Sequence, residues 1–438
     1  MSKYITAAAV ILLYALPLFS QNTWVSQPSG YTENFKKVVF ADSLYGWISC
    51  DSGMVIHTTN GGQSWTTQLR NPSDYINDIF FLNRLNGWLI VWRVTGGRMN
   101  SLVYSTTNGG GNWTAINYAD SLTLLNSVYF ISPQSGFIGT TYTSNKSILR
   151  STNGGTNWFP ANVDTNFAAN FPVKTIRFMN ANTGYAAGGI LDVCGVIWKT
   201  TDGGNSWTSN SNGGEPNNSI GFPNQNTVVI SGGDYEYGAS VCYSGDSGAS
   251  WHYYFTGYFG IGYSLSFRTE TEGWIASGFS RLLLKSTDSG LSWTSTDTPD
   301  STYIYSLVFP NQKTGWAVGD NGAILKYTAS PIGISNTGST LPASFLLGQN
   351  YPNPFNPVTK IKFSVPPSLS SPHGVGGDLV QLKVYDVRGR EVQTLVNERL
   401  NAGTYEATFD GSSLNSGVYF YRLTTEGFSE TRRMILLK

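Results

Sequence analysis

A polar turn that ends in tryptophan occurs six times along this chain, and it constrains the fold more than any other feature. It reads Thr58-Thr-Asn-Gly-Gly-Gln-Ser-Trp65, Thr106-Thr-Asn-Gly-Gly-Gly-Asn-Trp113 and Ser151-Thr-Asn-Gly-Gly-Thr-Asn-Trp158. It returns as Thr200-Thr-Asp-Gly-Gly-Asn-Ser-Trp207, Ser244-Gly-Asp-Ser-Gly-Ala-Ser-Trp251 and Ser286-Thr-Asp-Ser-Gly-Leu-Ser-Trp293. Successive tryptophans lie 42 to 49 residues apart, a period that signals a repeat architecture. Repeated units supply a scaffold, so function is sought where the repeats differ.

Each turn closes a longer unit. The first runs through Lys37–Phe40, Gly46–Cys50, Met54–His57 and the strand after Trp65. Four short runs bounded by turn residues read as four strands, and four strands at this period are a β-propeller blade. The second strand counts seven units: Gly46-Trp47, Gly87-Trp88, Gly136-Phe137, Gly184-Tyr185, Thr227–Ile230, Gly273-Trp274 and Gly315-Trp316. The seventh stops before its tryptophan strand, and Asn22-Thr-Trp24-Val-Ser supplies the missing piece. The expected fold is therefore all-β: a seven-bladed propeller closed by the N-terminal strand, which removes free sheet edges. In each turn the Asn or Asp side chain is expected to bond the backbone two residues on, beside a glycine at positive φ.

Composition agrees with many tight turns: 49 Gly, 14% aromatic and only 12% charged residues, with Lys+Arg equal to Asp+Glu. That balance gives no electrostatic case for nucleic acid. Residues 1–20 carry one positive charge before a short apolar run and read as a secretory signal peptide; no later stretch is apolar enough to span a bilayer. Cys50, Cys194 and Cys242 form no CxxC pair. Secretion permits a Cys194–Cys242 disulfide, and buried thiols are the alternative.

The repeated phrase resembles the Asp-box of bacterial neuraminidase-type repeats, and the unit is similar to the propellers of photosystem II assembly factors. The likeness covers roughly residues 22 to 328, within a propeller expected over 21–329. It implies that Asn60, Trp65, Asn108, Trp113, Asn153, Trp158, Asp202, Trp207, Asp246, Trp251, Asp288 and Trp293 are structural, on the face away from ligand. Interchangeable Asn and Asp are not a metal-ligand set, and no cofactor motif appears.

Beyond a linker at 330–342, residues 343–438 alternate like a small Ig-like sandwich. Asn350-Tyr-Pro-Asn-Pro-Phe-Asn-Pro357, Val384-Tyr-Asp-Val-Arg-Gly-Arg390, Leu414–Tyr421 and Met434–Lys438 resemble the C-terminal sorting domain of type IX secretion cargo. Its motif residues are Asn353, Pro354, Phe355, Asn356, Pro357 and Lys438. The resemblance implies a Gram-negative source, export through the periplasm, recognition by the translocon and sortase, and a secreted or surface location.

A catalytic site is harder to find. A sialidase of this repeat class needs an arginine cluster, but the propeller's arginines fall at unrelated blade positions. Asp51 and Asp320 occupy equivalent turns of blades one and seven, where a carboxylate pair could act on a glycan; both sit in ordinary hairpin-turn sequences. No histidine triad or nucleophile elbow is present. The loops opposite the boxes depart from the repeat in Trp92, Arg93 and Arg98 of blade two and in Tyr235, Tyr237, Tyr254, Tyr258 and Phe259 of blade five. These residues are the candidate ligand face, since aromatics serve both sugar stacking and protein hot spots. The expected function is a non-enzymatic extracellular scaffold for a protein or glycan. A glycan-acting hydrolase and an envelope-complex assembly factor are the alternatives.

Overall fold

A computed structural model describes residues 24–118, 120, 123–141, 146–212, 214–329, 334–336, 341–367, 378–400, 402–411 and 414–437. The signal-peptide segment 1–20 and Lys438 lie outside the described residues. Two compact units emerge, one over Thr23–Thr328 and one from Ala329 onward.

The first unit contains seven sheets, antiparallel but for one edge pair. Blade one sets the pattern: Phe35–Phe40, Gly46–Cys50, Met54–Thr58 and Thr66–Arg70, from the innermost strand outward. The other innermost strands are Asp74–Phe81, Leu125–Phe130, Val173–Phe178, Asn217–Gly221, Ser264–Phe267 and Ile304–Val308. Each packs beside the next, and Ile304–Val308 packs beside Phe35–Phe40, so the sheets form a closed ring. Blade seven draws its outer strand from the other end of the chain: Trp24–Gln27 pairs antiparallel with Ile324–Thr328, setting Trp24 opposite Tyr327. Blade four gains a fifth strand, because Asn162–Val163 leaves blade three and pairs in parallel with Ser206 and Trp207.

The core lies between blades. The aromatic residue of a second strand stacks on the end of the next blade's innermost strand: Trp47 on Phe81 at 3.5 Å, Trp88 on Phe130 at 3.6 Å and Trp316 on Phe40 at 5.4 Å. Near-parallel rings in face contact fill the wedge between twisted sheets, so each blade buries its apolar face only when a neighbour is present.

The second unit is a two-sheet sandwich. One sheet orders Ile334–Asn336, Gly403–Asp410, Val358–Val365 and Leu346–Leu347; the other orders Glu391–Leu400, Asp378–Tyr385, Gly417–Thr424 and Ser429–Leu436. Alternate residues such as Ile361, Phe363, Leu382, Val384, Tyr421 and Met434 form one core. Within the segment read as a linker, Ile334–Asn336 pairs with Tyr405–Ala407 as an edge strand. The run is too short for periodicity to mark it as a strand.

Candidate functional site

Each box is a hydrogen-bonded knot. The Thr58 hydroxyl accepts from Gly62 N at 2.9 Å, and Asn60 Oδ1 accepts from Ser64 N at 3.0 Å. Thr200 and Asp202 repeat this with Gly204 N at 2.9 Å and Ser206 N at 2.9 Å. The Asn or Asp therefore reaches the amide four residues on, not two as expected. A tighter Asx turn would leave the fourth amide unbonded, whereas here the side chain spans the whole loop. The carboxylates benefit: the Ser206 hydroxyl and amide hold Asp202 at a pKa of about 2. Asp246 is lowered by Ser250 in the same way. At Asp288 burial pushes the pKa up, but hydrogen bonds from Ser292 and Ser286 outweigh it and leave it lowered.

The boxes also join blades. Trp47 Nε1 donates to Gly109 O of the next box at 3.0 Å, Trp88 Nε1 to Gly154 O at 3.0 Å, and Tyr185 Oη to Ser247 O at 2.7 Å. Gly204, at φ +70 to +80 with its neighbour Gly203, leaves space that a Cβ would close, since it would lie 2.3 Å from the Phe137 ring. Box tryptophans then meet aromatic edges, as with Trp113 on Phe81 at 5.9 Å, Trp158 on Phe130 at 5.8 Å and Trp251 on Tyr185 at 6.3 Å. Gly61 N bonds Leu44 O, so the boxes share a face with the first-to-second-strand turns. The opposite, junction face carries the blade-to-blade loops and the second-to-third-strand turns.

On the junction face the candidate residues part company. Tyr235 and Tyr237 sit at the blade-five turn after Asp234, whose Oδ1 accepts from Glu236 N and Tyr237 N. Tyr235 lies 6.4 Å from Phe259 and 6.0 Å from Phe279; Phe279 lies 5.3 Å from Tyr303 and 5.6 Å from Tyr305. Tyr235, Tyr237, Phe259 and Phe279 are exposed, at 46%, 58%, 57% and 50%. They form an aromatic ledge from blade five to blade seven. Tyr258 is partly buried between blades five and six. Tyr254 does not join the ledge: its hydroxyl donates to Gly290 O at 2.5 Å and accepts from Trp293 Nε1 at 3.2 Å, which ties it to the blade-six box.

The blade-two residues are mostly structural. The expected insertion is a lengthened hairpin, Gly87–Thr95 with Arg98–Thr106. Trp92 stacks on Tyr75 and donates to Leu125 O at 2.5 Å. Arg93 grips the buried Asp74 with two bonds, 2.5 and 2.9 Å, and Tyr104 Oη at 2.8 Å. The buried Asp74 carboxylate thus engages the guanidinium on two sides. Arg98 alone is exposed, at the hairpin tip.

The ledge descends to a channel of about 600 Å³ through the ring. In six blades the innermost strand slips register once, at Phe35/Lys37, Ile76/Asp78, Leu125/Ser127, Val173/Thr175, Asn217/Ser219 and Ile304/Ser306. Each slip is a β-bulge that frees one residue from the ladder. The freed residues are Lys36, Asn77, Asn126, Lys174, Asn218 and Tyr305, and all line the channel. Tyr263 fills the blade-six place; its hydroxyl meets Tyr235 Oη at 2.6 Å, while Tyr305 donates to Asp320 Oδ2 at 3.1 Å. Burial and these partners push both phenols up, so they remain neutral donors. Sequence reasoning missed this ring and Phe279. The available signals were the repeat position just after each strand begins, where side chains differ most, and a phenylalanine in a turn where blades one and seven carry Asp-x-Gly.

Asp51 and Asp320 are tied to turns. Asn34 Nδ2 donates to Asp51 Oδ2 at 3.2 Å, and Asn34 Oδ1 accepts from Asn321 N at 3.0 Å, so Asn34 bridges the two turns. Asp192, Asp234 and Glu236 bring carboxylate oxygens within 4.8 Å of one another, a grouping the sequence did not indicate. One Asp234 oxygen is occupied by turn amides. Cys50, Cys194 and Cys242 are unpaired thiols.

In the sandwich, the motif 350–357 pins the last strand. Asn353 Oδ1 accepts from Ile435 N at 3.0 Å, and the Phe355 backbone bonds Ile435 and Leu437. Phe355 is buried against Phe409, and Pro357 O accepts from Gly411 N. Asn350 is buried and held by Tyr421 and Thr359. Pro354 and Asn356 are exposed.

Residues 349–437 match the family model described as secretion system C-terminal sorting domain, and residues 210–328 match that of photosynthesis system II assembly factor YCF48. A structure of YCF48 bound to D1 peptide is 19% identical, with a TM-score of 0.55 over 72% of this chain and 100% of that one. YCF48 from Cyanidioschyzon merolae is 18% identical, with a TM-score of 0.55 over 70% and 98%. Virginiamycin B lyase from Staphylococcus aureus shares the fold at 10% identity and a TM-score of 0.53, over 71% and 100%. No curated protein matches the chain. Among the described residues no helix is long and apolar enough to cross a membrane. The chain is an all-β propeller protein with repeats of the YCF48 type, carrying a type IX sorting domain that engages the secretion machinery and marks it for the cell surface or extracellular space.

Proposed function

We propose that this is an exported binding scaffold whose recognition surface is the junction face over blades five to seven. The observation that carries the reading is the run of exposed Phe259, Tyr235 and Phe279, continued by the half-buried Tyr303. Tyr235, Tyr237, Phe259 and Phe279 leave about half of their surface in water at loop positions, and such rings are the usual anchors of recognition. The hydrolase alternative draws less support, because Asp51 and Asp320 already serve turn hydrogen bonds. A solved YCF48 holds a D1 peptide, which favours a macromolecular ligand for a propeller of this type.

The test is a glycan and protein binding screen of the full chain beside the Tyr235→Ala, Phe259→Ala, Phe279→Ala triple variant. The expected result is a ligand whose affinity falls at least about tenfold in the variant. A ligand indifferent to all three changes would move the recognition surface elsewhere.

A further inference from the structure

The seven positions ringing the channel mouth are structurally equivalent but chemically divided. Asn77, Asn126 and Asn218 bring amides, Lys36 and Lys174 bring ammoniums, and Tyr263 and Tyr305 bring phenols on the side where the ledge arrives. From this division we infer that the mouth takes the end of an acidic polysaccharide, a chain of pyranose sugars bearing carboxylates, while the ledge stacks the sugars that follow. The inference rests on the junction face being the recognition surface and names the ligand class for it.

Charge is the first argument. The channel is lined by Lys36, Lys37, Lys174 and Arg177 against one carboxylate, Asp78. Asp78 is consumed by Lys37 and by the amides of Ile79 and Val128. Lys174 is exposed to the channel, and its hydrogen-bond partner is the neutral Asn218 Oδ1 at 3.1 Å. Arg177 lies over the Tyr129 ring at 6.0 Å. Lys36 has Asp51 at 3.9 Å, beyond hydrogen-bond length. Asp51 and Asp320 stand at the rim, held by Asn34 and Tyr305. A cationic well with low-dielectric walls favours an anionic group over water.

Shape and polarity are the second argument. A pyranose presents an apolar face of C–H groups and a rim of hydroxyls. Phe259, Tyr235, Phe279 and Tyr303 succeed one another at centroid spacings of 6.4, 6.0 and 5.3 Å, the first two pairs tilted and the last edge to face, an apolar surface against which the C–H faces of sugars can pack. The phenols of Tyr263 and Tyr305, held neutral, and the mouth amides supply donors and acceptors for hydroxyls. An acidic peptide would seek cations along its length, whereas Arg281, stacked on Tyr303 at 5.0 Å, is the cation beside the ledge.

The test is calorimetry of the full chain with hexagalacturonate, its carboxyl-reduced neutral counterpart and hexaglutamate. Hexagalacturonate is expected to bind at least about tenfold more tightly than either of the others. Lys174→Gln is expected to weaken hexagalacturonate about tenfold and leave the neutral sugar within about twofold, with an unchanged melting temperature; Lys36→Gln serves as the second variant should the first unfold. Phe279→Ala should weaken both sugars alike. Equal affinity for the acidic and neutral sugars, or folded lysine variants with wild-type affinity, would overturn the assignment while leaving the junction face as the binding surface. Hexaglutamate binding as tightly as hexagalacturonate would replace the saccharide with an acidic protein. Failure of all three to bind would overturn the inference, and a ligand from the wider screen that ignores the ledge would overturn the function beneath it.

Discussion

The box face and the junction face are built from the same seven sheets under opposite rules. On the box face one hydrogen-bond plan recurs, from Thr58–Asn60 to Ser286–Asp288, and each copy locks to its neighbour through carbonyls such as Gly109 O and Gly154 O. On the junction face equivalent positions are divided among amides, ammoniums and phenols, and four large aromatic side chains, Tyr235, Tyr237, Phe259 and Phe279, are left half in water on blades five and six. Uniformity follows from inter-blade packing, which every blade must satisfy. Variety is allowed where a side chain leaves the ladder and meets solvent. The lesson is that regularity marks what the protein needs to stand, and irregularity marks what it can meet.

Substitutions can break or sharpen that contrast. The largest loss of stability is expected for Trp24→Ala, which removes the closing strand's anchor against Trp274, Phe309 and Tyr327. It should cost about 3–5 kcal/mol by urea unfolding; a loss below about 1 kcal/mol would show that the ring does not depend on its seam. Arg93→Ala should follow, at about 3 kcal/mol, because Asp74 is left charged and buried. If stability holds and ligand binding falls instead, Arg93 belongs to the site after all.

A smaller effect separates the two kinds of box. Asp202, Asp246 and Asp288 have depressed pKa values, so their contribution is fully present above the unfolded aspartate value near pH 4. It is lost as pH falls toward about 2, where Asp202 titrates. Replacing all three by Asn, as blades one to three carry naturally, should flatten acid unfolding between roughly pH 4 and 2 and leave pH 7 stability nearly unchanged. Denaturant midpoints across that range check it, and an unchanged acid limb would remove the boxes from acid stability. Least of all, Tyr235→Ala, Phe259→Ala and Phe279→Ala should each shift stability by only about 0.5 kcal/mol while weakening ligand. A cooperative loss of several kcal/mol would make the ledge part of the core.

Much of the fold was legible because it is periodic. Six tryptophan turns and seven second strands announce the blades, and the orphan Trp24 announces the closure. The fifth strand of blade four and the edge strand Ile334–Asn336 were not legible, since two or three residues carry no period. The site was legible in part. Tyr235, Tyr237 and Phe259 stand out by departing from the repeat and do reach solvent together. Trp92, Arg93 and Tyr254 depart equally, yet they are claimed by Leu125, Asp74 and Gly290, partners distant in sequence. The channel ring was hidden for another reason: each bulge adds a residue that breaks the alternation within a strand too short to show the break as a pattern.

Blade seven lacks its box, and the gap has a use. Opposite Gly315, where other third strands place the serine or threonine that begins the box, stands Tyr327, whose hydroxyl bonds Glu272 at 3.1 Å. Burial would raise the Glu272 pKa, but Arg268 and Trp274 hold it at about 2, so a fixed ionic rivet occupies the seam. Both ends of the propeller chain therefore open where a seventh box would have been. A short turn joining Thr328 to Trp24 would make the ring a circle without ends, and the chain could then be opened at another box with every sheet preserved. The missing turn is in effect a port, the one place where the ring of sheets is entered and left by the chain.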